Sequence, residues 1–458
     1  MSTRAAARSD PAGIGTFIRY RALLLLGLLI RVACLPLPGT EDVNVWKTWS
    51  YGASTGVSTM YGVGGHPPER GVVIWGNRRT TVDYPPAALY GLGAIGRIYR
   101  IFDPSFTDSA ALTVAVKLSL LCADALTCAS LWMLMRRRYP DRIARGAVML
   151  YWLNPATLMD GAVLGYLDPW VGALVMAAVA AADASSPALC GAAIVLAALT
   201  KAQAIFVAPV IAIVLLNRSD GRVRAALVAS ASGLATALIV LAPFARAGAL
   251  PNVARGVASL LRHDMLSGTA ANVWWIVTWL LRASYAVRDL GAWEAWTMTV
   301  RILGISRVIA LGYPNPRPVA AVLAGAAMIW AYSRAWRAAL PVALDAGALA
   351  MQAYFVLAVQ VHENHLYLAL PLMAAAAAAR PRLDAPFAAM SAAFALNLFL
   401  FYGIGRGFPL PPRGFTVIDA TVVLACLSVA AFVWHARRFS EQAASPAAVD
   451  LDRHAGHV

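Results

Sequence analysis

Long, predominantly apolar stretches constrain the fold of this sequence more than any other feature. A helix needs about 20 apolar residues to cross a bilayer. Hydrophobic residues make up 60% of the 458 residues and charged residues only 13%, against about 45–50% and about 25% in soluble domains. We therefore predict an all-α, polytopic integral membrane protein. The clearest apolar stretches are Tyr20–Pro36, Ala110–Met135, Val223–Ala245, Ala338–Val361 and Val417–Trp434.

Run length divides residues 19–436 into about 12 to 14 transmembrane helices. Residues 1–18 are expected in the cytoplasm, 37–83 and 246–267 form two outer loops, and 437–458 form a disordered cytoplasmic tail. Aromatic residues at helical spacing in the first outer loop predict a short amphipathic helix, with its aromatics at headgroup level. The expected helices are 19–36, 84–101, 108–134, 143–159, 169–183, 187–199, 201–216, 222–245, 268–283, 317–333, 338–361, 365–379, 384–403 and 415–436.

Arginine clusters between the apolar stretches account for the net charge of +15. Because cytoplasmic loops are rich in Lys and Arg, we expect these clusters inside and no nucleic acid partner. The compact loops and the many arginines and alanines favour a bacterial inner membrane. Arg4–Arg21 and Arg136–Arg145 favour the same side, although three apolar stretches separate them. Either residues 84–101 do not cross the membrane fully, or one cluster breaks the rule that basic loops are cytoplasmic. Separately, part of residues 284–316 can lie along the membrane interface.

The sequence leaves little room for a soluble catalytic domain. Its longest polar segment, residues 37–83, is well short of a typical domain. The whole sequence contains no GxxxxGK[ST] phosphate-binding loop, which argues against an ATP-driven pump. The five cysteines lie within or beside apolar stretches without metal-ligand spacing, so we expect neither a metal nor another cofactor. Any chemistry must therefore come from membrane helices and the loops at their ends.

Ionisable residues at the membrane edge are costly and therefore informative. The first group is "GTEDVNVWKTWSYG", where Asp42 is either functional or the N-cap of the short helix that carries Trp49. The second is "VDYPP", where Asp83 and Tyr84 precede two prolines that mark an abrupt helix start. All of these residues lie on the predicted outer face.

Two further polar groups occur later in the chain. "NPATLMDGAVLGYLDPW" places Asp160 and Asp168 around a glycine-containing break between apolar runs. "VQVHENHLYLALP" places His362, Glu363 and His365 between two long apolar segments, and positions three apart share one face of a helix. Each group can be a simple turn, but three adjacent ionisable residues between membrane segments favour a functional site.

Taken in order, these motifs resemble GT-C superfamily glycosyltransferases, which use polyprenyl-phosphate sugars. The most similar type is the dolichyl-phosphate-glucose-dependent glucosyltransferases of N-glycan precursor assembly. Their catalytic Asp lies seven residues before a Trp, as do Asp42 and Trp49 here. Their "LDYPP", "VANxW" and "QVHEK" motifs are matched by Val82–Pro86, by "TAANVWW" and by Gln360–Asn364. "NPA…D" and "TKxQ" segments, also present here, are widespread among bacterial relatives.

This resemblance implies inverting hexosyl transfer with Asp42 as general base. The donor would be a polyprenyl-phosphate sugar, and the acceptor a lipid-linked glycan, a polysaccharide or another molecule at the outer face of the bilayer. Asn44 replaces a second acid usual in the family, which fits metal-independent transfer. Asn364 replaces the final Lys of "VHEK", so another cation must steady the leaving phosphate. The expected donor- and substrate-binding residues are Asp83, Tyr84, Asn272, Trp274, His362, Glu363 and His365, with Trp49, Asp168, Lys201 and Arg307 as further candidates.

Two other classes remain open from the sequence. A lipid or solute transporter would place ionisable residues near the bilayer midplane and often shows inverted repeats, whereas here they lie at the outer ends of helices without an evident repeat. A polyprenyl-linked glycan ligase or polymerase would carry a large arginine-rich outer loop late in the chain, whereas residues 404–414 form a short one. The sequence leaves the sugar open between glucose and mannose.

Overall fold

The computed structural model describes residues 11–62, 71–259, 265–289, 315–411, 414–415 and 418–443, and these residues are predominantly helical, as predicted. Short 3₁₀ helices at Val57–Thr59, Ala202–Val207, Glu363–Leu366 and Pro381–Leu383 and a π-helix at Leu158–Leu164 interrupt or link the α-helices. The α-helices are α1 (Pro11–Cys34), α2 (Glu41–Thr55), α3 (Pro86–Phe102), α4 (Ala110–Arg136), α5 (Asp141–Trp152), α6 (Pro155–Thr157), α7 (Asp168–Asp183), α8 (Pro187–Thr200), α9 (Ala208–Arg218), α10 (Arg222–Arg246), α11 (Leu250–Ser259), α12 (Val273–Asp289), α13 (Pro316–Ala335), α14 (Leu340–Leu357), α15 (Ala369–Ala379), α16 (Asp384–Tyr402) and α17 (Ala420–Ala443).

Among the described residues, six helices are long and apolar enough to cross a membrane. Shorter apolar helices, at Pro187–Thr200 and Ala202–Arg218, lie where the sequence analysis placed two further crossings. The long helices differ in burial: α14 is almost wholly inside the protein, whereas α10 is mostly exposed. The six candidate spans are Ala110–Arg136, Arg222–Arg246, Pro316–Ala335, Leu340–Leu357, Pro381–Tyr402 and Ala420–Glu441.

The short helix predicted in the first loop is α2, but its aromatic residues do not face the membrane. Trp46 and Trp49 are buried in a cluster against α3 and α4. The headgroup-level placement is therefore wrong for these two residues, because α2 packs inside the protein. The N-cap of α2 is Thr40, not Asp42. Asp42 lies in the first turn, so the capping alternative is also wrong.

A small antiparallel hairpin in the first loop was not predicted. Strand β1 (Val72–Trp75) pairs with β2 (Arg78–Thr81) in the register Val72↔Thr81. Gly76 provides the positive φ of 60° that the turn requires. The Gly-Asn pair between two runs rich in β-branched residues is the signal that would have identified it. A second pair, β3 (Gly414–Phe415) with β4 (Ile418–Asp419), precedes α17.

Helix α3 begins at Pro86, as the paired prolines predict, and packs along α2. A Cβ on Gly96 would lie 2.2 Å from the Ser50 carbonyl oxygen, so glycine permits this close approach. The loop that follows α3 also returns to α2, because Lys47 donates to Asp108 at 3.0 Å. Both ends of α3 thus lie beside α2. This is the arrangement expected if residues 84–101 do not cross fully.

A buried ionic network ties α1 to α4 and α5. Arg31 is fully buried, and its Nε donates to Asp124 at 3.0 Å. The same guanidinium donates to the Trp152 carbonyl at 2.6 Å and the Thr157 hydroxyl at 3.2 Å. The Tyr367 hydroxyl also donates to Asp124. A charge in an apolar stretch is tolerated here because its partners are supplied by neighbouring helices.

The last helix extends beyond the predicted boundary. Helix α17 continues to Ala443, so the prediction of a disordered tail from residue 437 is wrong for its first seven residues. Phe439 is buried and contacts Trp330, and Arg438 pairs with Glu441 at 3.2 Å, one turn apart. Both interactions extend the helix. Residues 444–458 lie outside the described residues.

Replacing Arg31 alone should destabilise the protein by about 3–5 kcal/mol, because Arg31→Met leaves the Asp124 carboxylate buried without its cation. The double variant Arg31→Met with Asp124→Leu should lose markedly less. Unfolding of the purified protein in mixed detergent micelles would compare Arg31→Met, Asp124→Leu and the double variant. A double variant as unstable as the sum of the two single variants would contradict the unpaired-charge explanation.

Candidate functional site

The carboxylate of Asp168 joins three distant segments of the chain. Lys201 Nζ contacts its two oxygens at 2.8 and 2.9 Å. Gln203 Nε2 donates to Oδ1 at 2.8 Å, and Asn364 Nδ2 donates to Oδ2 at 2.8 Å. All four side chains are buried. Because a buried carboxylate is costly unless it is paired and hydrogen-bonded, this cluster fixes the "LDP", "TKAQ" and "HEN" segments against one another.

Glu363 is held by hydroxyl groups. The Tyr166 hydroxyl donates to its Oε1 and the Thr269 hydroxyl to its Oε2, and Glu363 is itself buried. The Tyr402 hydroxyl lies 3.1 Å from the Thr269 Oγ1. Both carboxylate oxygens of Glu363 are therefore occupied by protein donors. Its Oε2 also lies 3.9 Å from His362 Nδ1.

His362, in the late polar group, has 35% of its side chain exposed, against 4% for the neighbouring Glu363. It caps the short 3₁₀ helix Glu363–Leu366, and its backbone N–H points to His365 Nδ1 at 3.4 Å. The Tyr354 hydroxyl is 3.1 Å from the same nitrogen. His365 thus lies behind His362 and orients it.

The loop that carries His362 has an unusual backbone. Gln360 adopts a φ of 63° and Thr269, on the facing segment, a φ of 67°. The two segments pair, since Gly268 donates its N–H to the Val361 carbonyl at 2.8 Å and forms a bridge with His362. Non-glycine residues in this region are strained and concentrate at functional sites. The fold therefore maintains a costly conformation where His362 and Glu363 lie.

Asp42 is positioned by the connection between α1 and α2. The Thr40 N–H donates to the Leu164 carbonyl at 2.9 Å, next to Gly165, which has a φ of 80°. Lys117 on α4 donates to the carbonyls of Leu37 at 2.7 Å and Val163 at 2.7 Å. The start of α2 is thus anchored to the π-helix segment that leads into Asp168.

Burial and neighbouring acids raise the pKa of Asp42 to about 7. The half-buried carboxyl loses hydration, the charges of Glu363, Asp83 and Asp168 oppose its ionisation, and Lys201 favours it. Burial also raises the pKa of Asp83 to about 6, although the backbone and His362 act in the opposite direction. The structure therefore brings Asp42, Asp83, Asp168, Lys201 and Glu363 into one electrostatic neighbourhood.

An aromatic cluster connects the first two polar groups. The Tyr84 ring contacts Trp46 and Trp49 edge-on, at centroid distances of 5.0 and 5.7 Å. Lys201 Nζ lies 5.9 Å from the centroid of the Tyr84 ring. Trp49 is fully buried. Tyr84 and Trp49 thus hold the start of α3 against α2.

Asn272 and Trp274 lie behind the site. Asn272 is fully buried, its Nδ2 donates to the Phe355 carbonyl at 3.0 Å, and its Oδ1 accepts from the Trp275 N–H. Trp274 Nε1 donates to the Leu357 carbonyl at 2.8 Å. These contacts fix α12 to the end of α14, just before the His362 loop. Arg307 lies outside the described residues.

Sequence reasoning missed several supporting residues. Gln203, Tyr166 and Thr269 hold the two buried carboxylates, and the "TKxQ" and "GYLD" patterns are the signals that could have identified the first two.

Asp160 is fully buried in the π-helix, and neither of its oxygens has a hydrogen-bond partner among the described residues. Single-turn π-helices are frequent at functional sites.

A polytopic helical protein whose acids converge at helix ends is a candidate membrane transferase. Residues 75–447 match the model of the ALG6, ALG8 glycosyltransferase family, and the chain belongs to that family. It is therefore an integral membrane hexosyltransferase that uses a polyprenyl-phosphate sugar, and the predicted resemblance is confirmed. The transporter alternative is thereby wrong. Comparison with curated proteins gives no significant match.

Several solved structures are similar to this chain at low identity. The apo crystal structure of ArnT from Cupriavidus metallidurans has 13% identity and a TM-score of 0.49, with 94% of this chain and 78% of that chain covered. The structure of the same protein bound to undecaprenyl phosphate has 12% identity and a TM-score of 0.47, with 94% and 77% covered. The Archaeoglobus fulgidus oligosaccharyltransferase AglB, in complex with an inhibitory peptide and a dolichol-phosphate, has 14% identity and a TM-score of 0.37, with 92% and 55% covered.

Asn364 occupies the position of the Lys in the "VHEK" motif of the similar glucosyltransferases. Its hydrogen bond to Asp168 predicts which substitutions this position accepts. Asn364→Leu should lower the thermal unfolding midpoint, because Asp168 loses a donor that contributes about 1–3 kcal/mol. Asn364→Lys should retain most of the stability, since an ammonium can donate to the same oxygen. Thermal unfolding of the two variants in identical micelles gives the comparison, and equal losses would contradict the assigned contact.

Proposed function

We propose that this protein transfers a hexose, glucose or mannose, from a polyprenyl-phosphate hexose to a lipid-linked glycan or a polysaccharide at the outer face of the membrane. The reaction inverts the anomeric carbon and needs no metal ion. The observation that carries the proposal is Asp42: a half-buried carboxylate with a pKa raised to about 7, beside Lys201 and the His362 loop. A general base works best when its pKa is near the operating pH.

The proposed reaction is a single displacement at the anomeric carbon of the donor. The acceptor hydroxyl attacks the anomeric carbon of the donor, and Asp42 takes the hydroxyl proton. The bond between that carbon and the phosphate oxygen breaks, and the electron pair leaves with polyprenyl phosphate. Because the attack comes from the side opposite the leaving group, a single displacement inverts the configuration.

The leaving phosphate needs preorganised donors, and His362 is our candidate because its side chain is 35% exposed, whereas Glu363 beside it is buried. The backbone N–H of His362 donates to His365 Nδ1, and Glu363 Oε2 lies 3.9 Å from His362 Nδ1. The charge of His362 also acts on Asp83. It lowers the pKa of Asp83, whereas burial raises it. Lys201 contributes its positive charge mainly through Asp168, to which it is paired at 2.8 Å.

The site offers little to a metal ion. Within the described ranges, no group of three or more His, Cys, Asp or Glu side chains is arranged to hold one. Glu363 and Asp168, two buried acids of the site, are occupied by protein donors at both oxygens. Since Asn44 also replaces a second acid beside Asp42, we expect transfer to continue in EDTA.

Asp42→Asn should reduce transfer by roughly 10²–10⁴-fold, the range that a positioned general base contributes. The matched control is Glu41→Gln, which removes the adjacent carboxylate, 71% exposed and paired with Arg406. The purified protein in nanodiscs would receive radiolabelled polyprenyl-phosphate glucose or mannose, an acceptor extract and EDTA. Loss of transfer in both variants alike would contradict the assignment of the base to Asp42.

Transfer should rise with pH and reach half of its maximum near pH 7. Asp42 must be ionised to accept a proton, and its raised pKa keeps it protonated and inactive at lower pH. The rate should therefore fall about tenfold per pH unit well below 7. Single-turnover transfer measured between pH 5 and 9 would test this, and a flat profile over that range would exclude Asp42 as the titrating base.

A further inference from the structure

A cationic pocket lies among the ends of α9, α10 and the loop that enters α14. Its volume is about 350 Å³, in the range of small-ligand sites. Three arginines, Arg218, Arg222 and Arg337, contribute to its lining, together with apolar residues such as Val214 and Leu340. The lining of the pocket therefore combines positive charge with apolar surface.

The pocket lies at the opposite end of the helices from the candidate active site. Helix α7 starts with Asp168 in that site and ends at Asp183, about 24 Å away by helical rise. Asp183 contacts Arg218 at 3.5 Å and also pairs with Arg138. The pocket thus belongs to the other membrane face, and no residue of the candidate site lines it.

The local charge favours an anion. Asp183 is shared by two arginines, so it does not neutralise the pocket. Arg222 donates through Nε to the Leu216 carbonyl at 3.1 Å, and both it and Arg337 are exposed. Helices α10 and α14 begin at the pocket, and no side chain caps either N-terminus. Arginine side chains and helix N-termini together are suited to phosphate.

The surroundings indicate a ligand with an apolar tail. Helix α10 leaves the pocket with Val223 75% exposed and Leu227 65% exposed. On the other side, Trp336 is 46% exposed directly before Arg337, and exposed tryptophans of membrane proteins concentrate at the headgroup level. The positive groups thus lie where apolar, bilayer-facing helix surfaces begin.

We propose that this pocket binds the phosphate headgroup of an anionic phospholipid whose acyl chains lie along α10. The arginines and helix N-termini hold the phosphate, and the exposed apolar face accommodates the chains. Basic pockets between transmembrane helices bind anionic headgroups by the same combination. The site is separate from the proposed transfer reaction and does not depend on it.

The test uses the purified full-length protein in detergent micelles, titrated with phosphatidylglycerol, phosphatidylcholine or inorganic phosphate. Native mass spectrometry counts the bound lipid, and thermal unfolding reports stabilisation. The pocket variant combines Arg222→Gln with Arg337→Gln. The matched control combines Arg224→Gln with Arg334→Gln, which removes two exposed charges from the same face outside the pocket. Unfolding without lipid confirms that both variants fold.

The wild type and the control should bind phosphatidylglycerol in preference to phosphatidylcholine. The pocket variant should bind it on the order of tenfold more weakly, and inorganic phosphate should compete only at much higher concentration. Equal loss in both double variants would show diffuse charge attraction and overturn the site. Stabilisation by inorganic phosphate equal to that by phosphatidylglycerol would overturn the lipid assignment.

Discussion

The buried carboxylate of Asp168 is the interaction on which the rest of the site depends. Lys201, Gln203 and Asn364 reach it from segments 33, 35 and 196 residues away. Leaving such a carboxylate without its cation costs about 3–5 kcal/mol, so these segments are fixed in one arrangement. The same arrangement brings Glu363 close enough to Asp42 to raise its pKa, and His362 close enough to Asp83 to lower its pKa.

The pattern of partners divides the acids of the site into two kinds. Asp168 and Glu363 accept hydrogen bonds from protein donors at both oxygens and serve to position the chain. Asp42 and Asp83 keep raised pKa values, about 7 and about 6, because burial opposes the ionisation of both and neighbouring acids add to this effect at Asp42. A carboxyl group that ionises near neutral pH suits proton transfer, whereas a fully bonded one suits support.

The sequence predicted the polytopic helical class and most of the residues that meet at the site, because apolar run length and the spacing of rare acids are local signals. It placed Trp46 and Trp49 at the membrane surface, since amphipathic spacing cannot show which medium covers a helix face. It also named Asn272 and Trp274 as donor-binding residues, which stays a prediction, and it could not show that their polar atoms bind carbonyls at the end of α14. Long-range partners such as Thr269 with Glu363 leave no trace in local spacing.

The most direct test of the central claim is a structure of the Asp42→Asn variant with a polyprenyl-phosphate hexose bound. Our account predicts the donor phosphate within hydrogen-bond distance of His362 and the anomeric carbon open to attack from the side of residue 42. A bound donor whose anomeric carbon faces away from residue 42, or whose phosphate lies far from His362, would contradict it.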